Sequence, residues 1–165
     1  MIRPAVAQDH AGILALYRAV AFVPNGIART PDEVSEAYID GFMHKAAANG
    51  LEFVGETDGR IVGEIHASGP GIASLDSLLC ELTIAVAPDC QGQGVGRALF
   101  RALLDAVIHE RPRITRVELF VRESNTRARA LYASLGFVEE GRLRARVRNA
   151  EGVAEADIVM GWLRP

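Results

Sequence analysis

A glycine-rich loop, Gln91-Gly92-Gln93-Gly94-Val95-Gly96-Arg97, separates an apolar run from an amphipathic helical pattern in this chain. The apolar run, residues 78–86, is typical of a buried strand and ends before Pro88, since proline cannot donate to a central ladder. Glycines let the backbone approach a ligand closely, and the first amides of a helix lack internal partners. The sequence therefore predicts an anion site at this loop, suited to a pyrophosphate.

Three classes of protein use such a loop, and the neighbouring residues separate them. A P-loop nucleotide site needs Lys and then Ser or Thr after its last glycine, whereas Gly96 is followed by Arg97 and Ala98. A dinucleotide-binding fingerprint has the glycine spacing G-x-G-x-x-G and usually lies near the start of a chain. The present loop differs in both respects, so this class is the second choice. The acyl-CoA pattern Q-x-x-G-x-G matches Gln91, Gly94 and Gly96 without a gap. An acyl-CoA loop is the preferred interpretation.

Seven runs with strand character are distributed along the chain. They cover residues 1–6, 51–56, 61–67, 78–86, 117–121, 137–147 and 153–163. Asp58-Gly59 and residues 149–152 carry the glycines of tight turns, so each predicts an antiparallel pair. The two middle runs alternate with helices, which implies neighbouring parallel strands. The predicted fold class is α/β (α+β in some schemes), with a mixed sheet in a single domain over residues 1–165.

Four segments have the periodicity and end signals of helices. They run from the cap Asp9 through Val20, from the cap and first-turn proline Thr30-Pro31 to about Asn49, over residues 94–109, and from Ser124-Asn125 to the glycine cap Gly136. Between the first two, Pro24-Asn25-Gly26 predicts a turn.

Composition and charge argue against several classes of protein. Hydrophobic residues make up 49% and charged residues 24% of the 165, the balance of a globular domain. A formal net charge of -3 gives no general attraction to phosphate backbones, so we expect no nucleic-acid partner. No run approaches the roughly 18 apolar residues of a membrane span, and the first residues lack a secretion signal. We therefore expect a cytoplasmic protein. Because Cys80 and Cys90 lack metal-type spacing, we also expect reduced thiols and no metal.

Two longer stretches resemble motifs of the GNAT N-acetyltransferase family. Residues 84–96 resemble its central motif, and residues 121–125 with Ala128 and residues 131–137 resemble the motif that follows. Residues 2–9 are similar to the usual start of the family. Residues 140–142 and 157–160 resemble the closing hairpin of members that acetylate free amino acids or protein N-termini, and phosphinothricin-type members are also similar. Residues 20–80, where the acceptor usually binds, match only in outline.

This resemblance implies a mostly antiparallel sheet of six to seven strands with about four helices. Its two central parallel strands, ending at Val86 and Val121, would part and leave a wedge for acetyl-CoA, the co-substrate. The residues that the resemblance assigns to coenzyme binding are Ile84, Ala85, Val86, Gln91, Gly92, Gln93, Gly94, Val95, Gly96, Arg97, Asn125, Arg127, Ala128 and Tyr132.

The resemblance also implies three catalytic residues. Tyr132 matches a tyrosine that faces the coenzyme sulfur, where a phenol can protonate the thiolate, and plain packing is its alternative. Asn125 matches an asparagine that bonds the coenzyme or a water, and it also suits a helix cap. Glu81 stands where phosphinothricin-type members carry a glutamate base. Burial in its apolar run should raise its pKa, whereas a salt-bridged strand glutamate is the alternative.

Two features outside these motifs concern the acceptor. His66 alternates with Glu64 and Ser68 and could share the role of base, but we expect it to face outward. A regular strand would place four alternating arginines on one face, where they would suit an anionic acceptor if they border the cleft. These are Arg142, Arg144, Arg146 and Arg148.

The function predicted from these residues is transfer of the acetyl group of acetyl-CoA to a primary amine by direct attack. The expected acceptor is an amino acid, an amino-acid analogue or a protein N-terminus. Cys90 lies beside the phosphate loop, which argues against an acyl-cysteine. A non-catalytic acyl-CoA sensor of the same fold is the alternative. We expect no membrane partner, and a homodimer is one expected assembly.

Overall fold

The computed structural model describes residues 1–24 and 26–165, so Asn25, the centre of the predicted turn, lies outside the described residues. Within these ranges the chain forms seven strands and four α-helices. The strands are β1 (Ile2–Pro4), β2 (Gly50–Thr57), β3 (Arg60–Ser68), β4 (Leu78–Val86), β5 (Arg116–Arg122), β6 (Val138–Arg148) and β7 (Ala154–Leu163). The α-helices are α1 (His10–Ala21), α2 (Glu36–Asn49), α3 (Val95–Glu110) and α4 (Thr126–Ala133). No helix in this part of the chain has both the length and the apolar character that a bilayer crossing requires.

The seven strands form one sheet in the order β1-β2-β3-β4-β5-β7-β6. Neighbouring strands are antiparallel except β4 and β5, which are parallel. Their register covers only two pairs among the described residues, Leu78 with Arg116 and Leu79 with Val117. Beyond these pairs the two strands part, and a gap opens between them. The predicted mixed sheet with two splayed central strands is confirmed.

Helices cover both faces of this sheet because the strands alternate apolar side chains toward each face. The helices α3 and α4 pack on one face, around Leu79, Phe100 and Leu119. On the other face α1 and α2 pack around a second cluster that includes Ile13, Tyr17 and Phe42. The gap between β4 and β5 is therefore bordered by a helical layer on each side.

Helix α2 begins at Glu36, not at Thr30 as predicted. The residues from Thr30 form a separate 3₁₀ turn, in which the Glu33 carboxylate accepts a hydrogen bond from the Thr30 amide at 2.8 Å. Ser35 then caps α2 by accepting from the Tyr38 amide at 3.2 Å. The predicted start is wrong because two capping signals follow each other within six residues and the second one begins the helix.

Asp9 directly precedes α1, but its carboxylate does not cap that helix. It accepts from the Val6 amide at 2.9 Å and from the Arg3 guanidinium at 2.7 Å. The Arg3 contact lowers the pKa of Asp9. The predicted cap is wrong because the short Asp9 side chain binds the backbone amide of Val6 and the Arg3 guanidinium instead of the amides of α1.

The arginines of β6 do not share one face. Arg142 lies opposite Ile158, whereas Arg146 binds the carboxylate of Asp157 at 2.8 Å. Since adjacent residues of β7 point to opposite faces, these two arginines do so as well. The prediction is wrong because β6 shifts register at a bulge that contains Ala145, whose φ is 53°.

Candidate functional site

A cavity of about 630 Å³ lies where β4 and β5 part. Its walls come from both helical layers. Tyr38 and Lys45 of α2 line one side, and Asn125 and Tyr132 line the other. Two ligands could therefore meet at the gap from opposite faces of the sheet.

The glycine loop lies at the end of β4 and leads into α3. Gly92 and Gly94 have φ of 81° and 85°, in the left-handed region that favours glycine, and Gly94 is the N-cap of α3. The Ala98 amide makes the first helical bond, to the Gly94 carbonyl at 3.0 Å, so the amides of residues 95–97 have no intrahelical partner. A Cβ atom on Gly94 would meet nothing within 4 Å. These features fit an accessible anion site at a helix N-terminus.

Basic side chains of α3 and α4 flank this loop. The Arg127 guanidinium lies 3.4 Å from the point that a Cβ atom on Gly92 would occupy. Arg97 donates a hydrogen bond to the Ser134 hydroxyl at 2.9 Å, which ties the start of α3 to the end of α4. The structure thus places Arg97 and Arg127, two of the predicted coenzyme-binding residues, at the loop.

A β-bulge distorts β4 at the edge of the gap. His66 and Ser68 of β3 pair with Thr83 and Cys80, so two residues of β4 lie opposite one residue of β3. Glu81, one of these two, has a φ of 50°. Bulges leave a residue outside the ladder and redirect its side chain. The bulge therefore decides where Glu81 points.

Glu81 lines the cavity, but it is not the buried carboxylate that the sequence predicted. Its side chain is 55% exposed and accepts a hydrogen bond from the Lys45 ammonium at 2.8 Å. The Ser68 hydroxyl donates a longer hydrogen bond to the same carboxylate oxygen, at 3.3 Å. The Lys45 contact lowers the pKa of Glu81, so the expected rise is wrong. The salt-bridged alternative describes this residue.

His66 faces the interior, so the expected outward orientation is wrong. It is 5% exposed, and its ring stacks on Phe42 with the ring centroids 4.0 Å apart. Its Nδ1 atom lies 3.0 Å from Oε1 of Glu64, and Oε2 of Glu64 accepts from the Tyr17 hydroxyl at 2.6 Å. The reason is that α1 and α2 cover this face of β3. His66 also lines the cavity.

Tyr132 and Asn125 line the cavity from the side of α4. Tyr132 is 8% exposed and packs against Phe100 and Phe137, and burial raises its pKa to about 12. Its hydroxyl makes no hydrogen bond to any residue that the structure describes, so it is available to a ligand. Asn125 accepts from the Ala128 amide at 3.1 Å and caps α4, as its alternative role predicted.

The cavity also contains charged residues that sequence reasoning did not single out. The Arg29 guanidinium stacks over the Tyr38 ring, 4.0 Å from its centroid, and Lys45 forms an ion pair with Glu81. Asp157 is buried, and this burial raises its pKa although Arg146 binds it. The sequence signal for Lys45 was its spacing after Tyr38 on one face of α2. Asp157 lies in the closing motif, but that motif assigned it no role.

Comparison with known proteins places this site in a family. The model of the acetyltransferase (GNAT) family matches residues 13–137. The mycothiol acetyltransferase of Renibacterium salmoninarum is 34% identical over 139 residues, which cover 79% of this chain and 38% of that protein. The [ribosomal protein bS18]-alanine N-acetyltransferase of Escherichia coli (strain K12) is 52% identical over 56 residues, 34% of this chain and 36% of that protein. The matched segments span less than two fifths of either relative.

A solved structure has the same fold. It is yncA from Salmonella typhimurium with its cofactor acetyl-CoA, which superposes with a TM-score of 0.79 over 99% of this chain and 92% of that chain, at 19% identity. The likeness at this identity concerns the fold alone. Since the family model covers both the glycine loop and α4, the chain belongs to the acetyltransferase (GNAT) family.

Proposed function

We propose that this chain is an acetyl-CoA-dependent N-acetyltransferase that acetylates a primary amine by direct attack. The acceptor is a small amino-acid-like molecule or a protein N-terminus. The observation that carries the proposal is the cavity at the gap, which is lined from both faces of the sheet and has a phenol, Tyr132, on the side of α4. The names of the two relatives, one for mycothiol and one for an alanine of a ribosomal protein, support acetyl transfer to such acceptors.

The residues around the gap fit acetyl-CoA. The free amides of residues 95–97, with Arg97 and Arg127, would hold its pyrophosphate. Where β4 and β5 have no ladder between them, backbone groups of residues 84–86 would bond its pantetheine amides. When bound, acetyl-CoA supplies an acetyl group activated as a thioester. Gln91, Asn125 and Ala128 complete the proposed coenzyme site.

Tyr132 would protonate the departing thiolate. A phenol with a pKa of about 12 stays protonated at neutral pH, so the group can donate a proton when the sulfur leaves. The packing of its ring against Phe100 and Phe137 fixes this side chain in the cavity wall. Asn125 would act by fixing the start of α4, and thereby the position of Tyr132.

The charges in the cavity support an acceptor that carries both signs. Arg29 and Lys45 provide guanidinium and ammonium groups, while Glu81 and Asp157 provide carboxyl groups in the same cavity. An amino acid, its analogue or a peptide N-terminus offers an ammonium group beside a carbonyl or carboxylate. The same cavity would suit a purely apolar amine poorly.

The test separates coenzyme binding from turnover. We expect acetyl-CoA to bind with micromolar affinity in calorimetry, and thiol release to follow addition of amines from a panel. The panel contains free amino acids, polyamines, aminoglycosides and peptides with a free N-terminal alanine. Acetyl-CoA binding without thiol release for any of these amines would identify the alternative, a sensor. The absence of binding would refute the proposal.

A further inference from the structure

A hydrogen-bonded chain of three side chains lies under α1 and α2 and ends at the cavity. The Tyr17 hydroxyl donates to Oε2 of Glu64 at 2.6 Å, and Oε1 of Glu64 lies 3.0 Å from Nδ1 of His66. Tyr17 and Glu64 are 0% exposed, and His66 is 5% exposed. Of the three, only His66 lines the cavity. A fully buried carboxylate with both oxygens engaged is costly unless its partners are held in place.

The carboxylate determines which nitrogen of His66 carries the proton. Both oxygens of an ionised Glu64 only accept hydrogen bonds, so Nδ1 of His66 must be the donor in the 3.0 Å contact. A neutral imidazole has a single N–H, and Nε2 therefore carries a lone pair. Nε2 makes no hydrogen bond to any residue in the described ranges. Stacking on Phe42 fixes the ring plane.

The titratable and charged groups around His66 come from several elements. They are Tyr17 of α1, Tyr38 and Lys45 of α2, Glu52 of β2, Glu64 on the same strand and Glu81 of β4. Glu52 lies opposite His66, and burial raises the pKa of Glu52 to about 8, so it holds a proton at neutral pH. Glu81 is paired with Lys45. Glu64 is thus the carboxylate in contact with the ring.

We propose that His66 is the general base that deprotonates the acceptor, with Glu64 and Tyr17 as positioning residues. This inference rests on the proposed N-acetyltransferase function. One ammonium N–H bond breaks, its proton moves to Nε2 of His66, and its electron pair remains on the nitrogen as the nucleophilic lone pair. The imidazolium, stabilised by Glu64, then returns the proton to solvent. On becoming an amide the amine loses a second proton to solvent, and Tyr132 regains from solvent the proton that it gives to the thiolate, so the protons balance.

Glu81 is less suited to this step than His66. Its carboxylate is held ionised by Lys45, which weakens it as a base, and more than half of its side chain is in solvent. His66 combines a fixed ring, a fixed tautomer and a position on the cavity wall. The acid and the base would then lie on opposite faces of the sheet.

The kinetic test uses the amine of the panel that releases thiol fastest. We expect His66→Gln to lower kcat/KM by ~10²–10⁴-fold, with little change in KM, and to abolish the acidic limb of its pH profile. In Glu64→Gln the amide NH₂ donates to Nδ1 of His66, which moves the ring proton to Nε2. The loss of kcat/KM in this variant should therefore approach the loss in His66→Gln. His109→Gln, at the exposed end of α3, is the matched control and should behave as the parent does.

A second readout needs no variant, and its first part, the position of the ring proton, needs no turnover. In ¹⁵N spectra of the parent protein, Nδ1 of His66 should be protonated and Nε2 unprotonated while the ring is neutral. Its titration midpoint should equal that of the acidic limb of kcat/KM. Replacing the acceptor by an amine of different pKa should leave the midpoint of the acidic limb unchanged. If the amine set this limb, its midpoint would move with the pKa of the amine.

The outcomes separate this inference from the proposed function. If the parent protein acetylates amines and His66→Gln keeps the parent's rate and pH profile, His66 is not the general base. The proposed acetyltransferase function is then unaffected. Protonated Nε2 in the neutral ring of the parent protein overturns the role of His66 as well, even if substitutions in this buried chain disturb folding. A parent protein that acetylates no amine overturns both proposals.

Discussion

The pKa of Glu52, which lies beside the buried Tyr17–Glu64–His66 chain, can be tested quantitatively through its effect on stability. Glu52 lies opposite His66, and its Oε1 atom is buried without a hydrogen-bond partner in the part of the chain that the structure describes. Burial, and then the nearby charge of Glu64, raise its pKa from the ordinary 4.5 to about 8. Between these two values the folded protein holds a proton that the unfolded chain has released.

The sign and size of the effect follow from this difference. Because the folded state binds more protons, the contribution of Glu52 to the free energy of unfolding is fully present below about pH 4.5 and is lost as pH rises through about 8. At 1.36 kcal/mol per pKa unit the full difference corresponds to about 5 kcal/mol. Since the side chain is only partly buried, we discount this value to ~1–2 kcal/mol.

Glu52→Gln keeps the shape of the side chain and removes its titration. The variant should be more stable than the parent by ~1–2 kcal/mol at pH 9 and nearly equal to it at pH 5. Urea unfolding followed by circular dichroism at both pH values measures the difference. Glu110→Gln, on the exposed end of α3, is the control and should show no such change with pH. An equal effect of Glu52→Gln at both pH values would refute the raised pKa.

Three further predictions concern the proposed site. Gly94→Val should weaken acetyl-CoA binding more than tenfold in calorimetry, because a branched side chain at φ 85° is strained and covers the amides of α3. Gly152→Val, with φ 78° in the β6–β7 turn, is the control for strain alone, and equal affinity of the Gly94 variant would contradict the loop assignment. Tyr132→Phe should bind acetyl-CoA as the parent does and release thiol more slowly, since it lacks only the proton donor; equal rates would show that water supplies the proton. Glu81→Gln should raise KM for a cationic acceptor and keep the acidic limb of kcat/KM, and loss of that limb would return the role of base to Glu81.

The sequence predicted best those features whose signals are local. The bounds of β4 agree with the apolar run, and Asp58-Gly59 forms the tight turn between β2 and β3 with φ of 50° and 76°. A positive φ at both turn positions is what Asp-Gly favours. The loop before α3 was predictable for the same reason, since Gly94 carries its own conformational preference.

The buried orientation of His66 was harder to predict because it depends on tertiary packing. The alternation of β3 shows that Glu64 and His66 share a face, but not which face α1 and α2 will cover. The orientation of Glu81 depends on one extra residue in β4 relative to β3, and no local signal marks such a bulge. Its partner Lys45 lies 36 residues away in sequence. Contacts between segments that are distant in sequence decided both side-chain positions.

On the proposed function, the two faces of the gap carry separate determinants for coenzyme and acceptor. The glycine loop and the arginines that flank it belong to α3 and α4, and these elements pack on one face of the sheet. The other face carries the Tyr17–Glu64–His66 chain and, on α2 itself, Tyr38 and Lys45. On the proposed function, substitutions in α2 should therefore alter the choice of amine without altering acetyl-CoA binding. This division also accounts for the sequence pattern, in which the family motifs are clear after residue 84 and only outlined over residues 20–80.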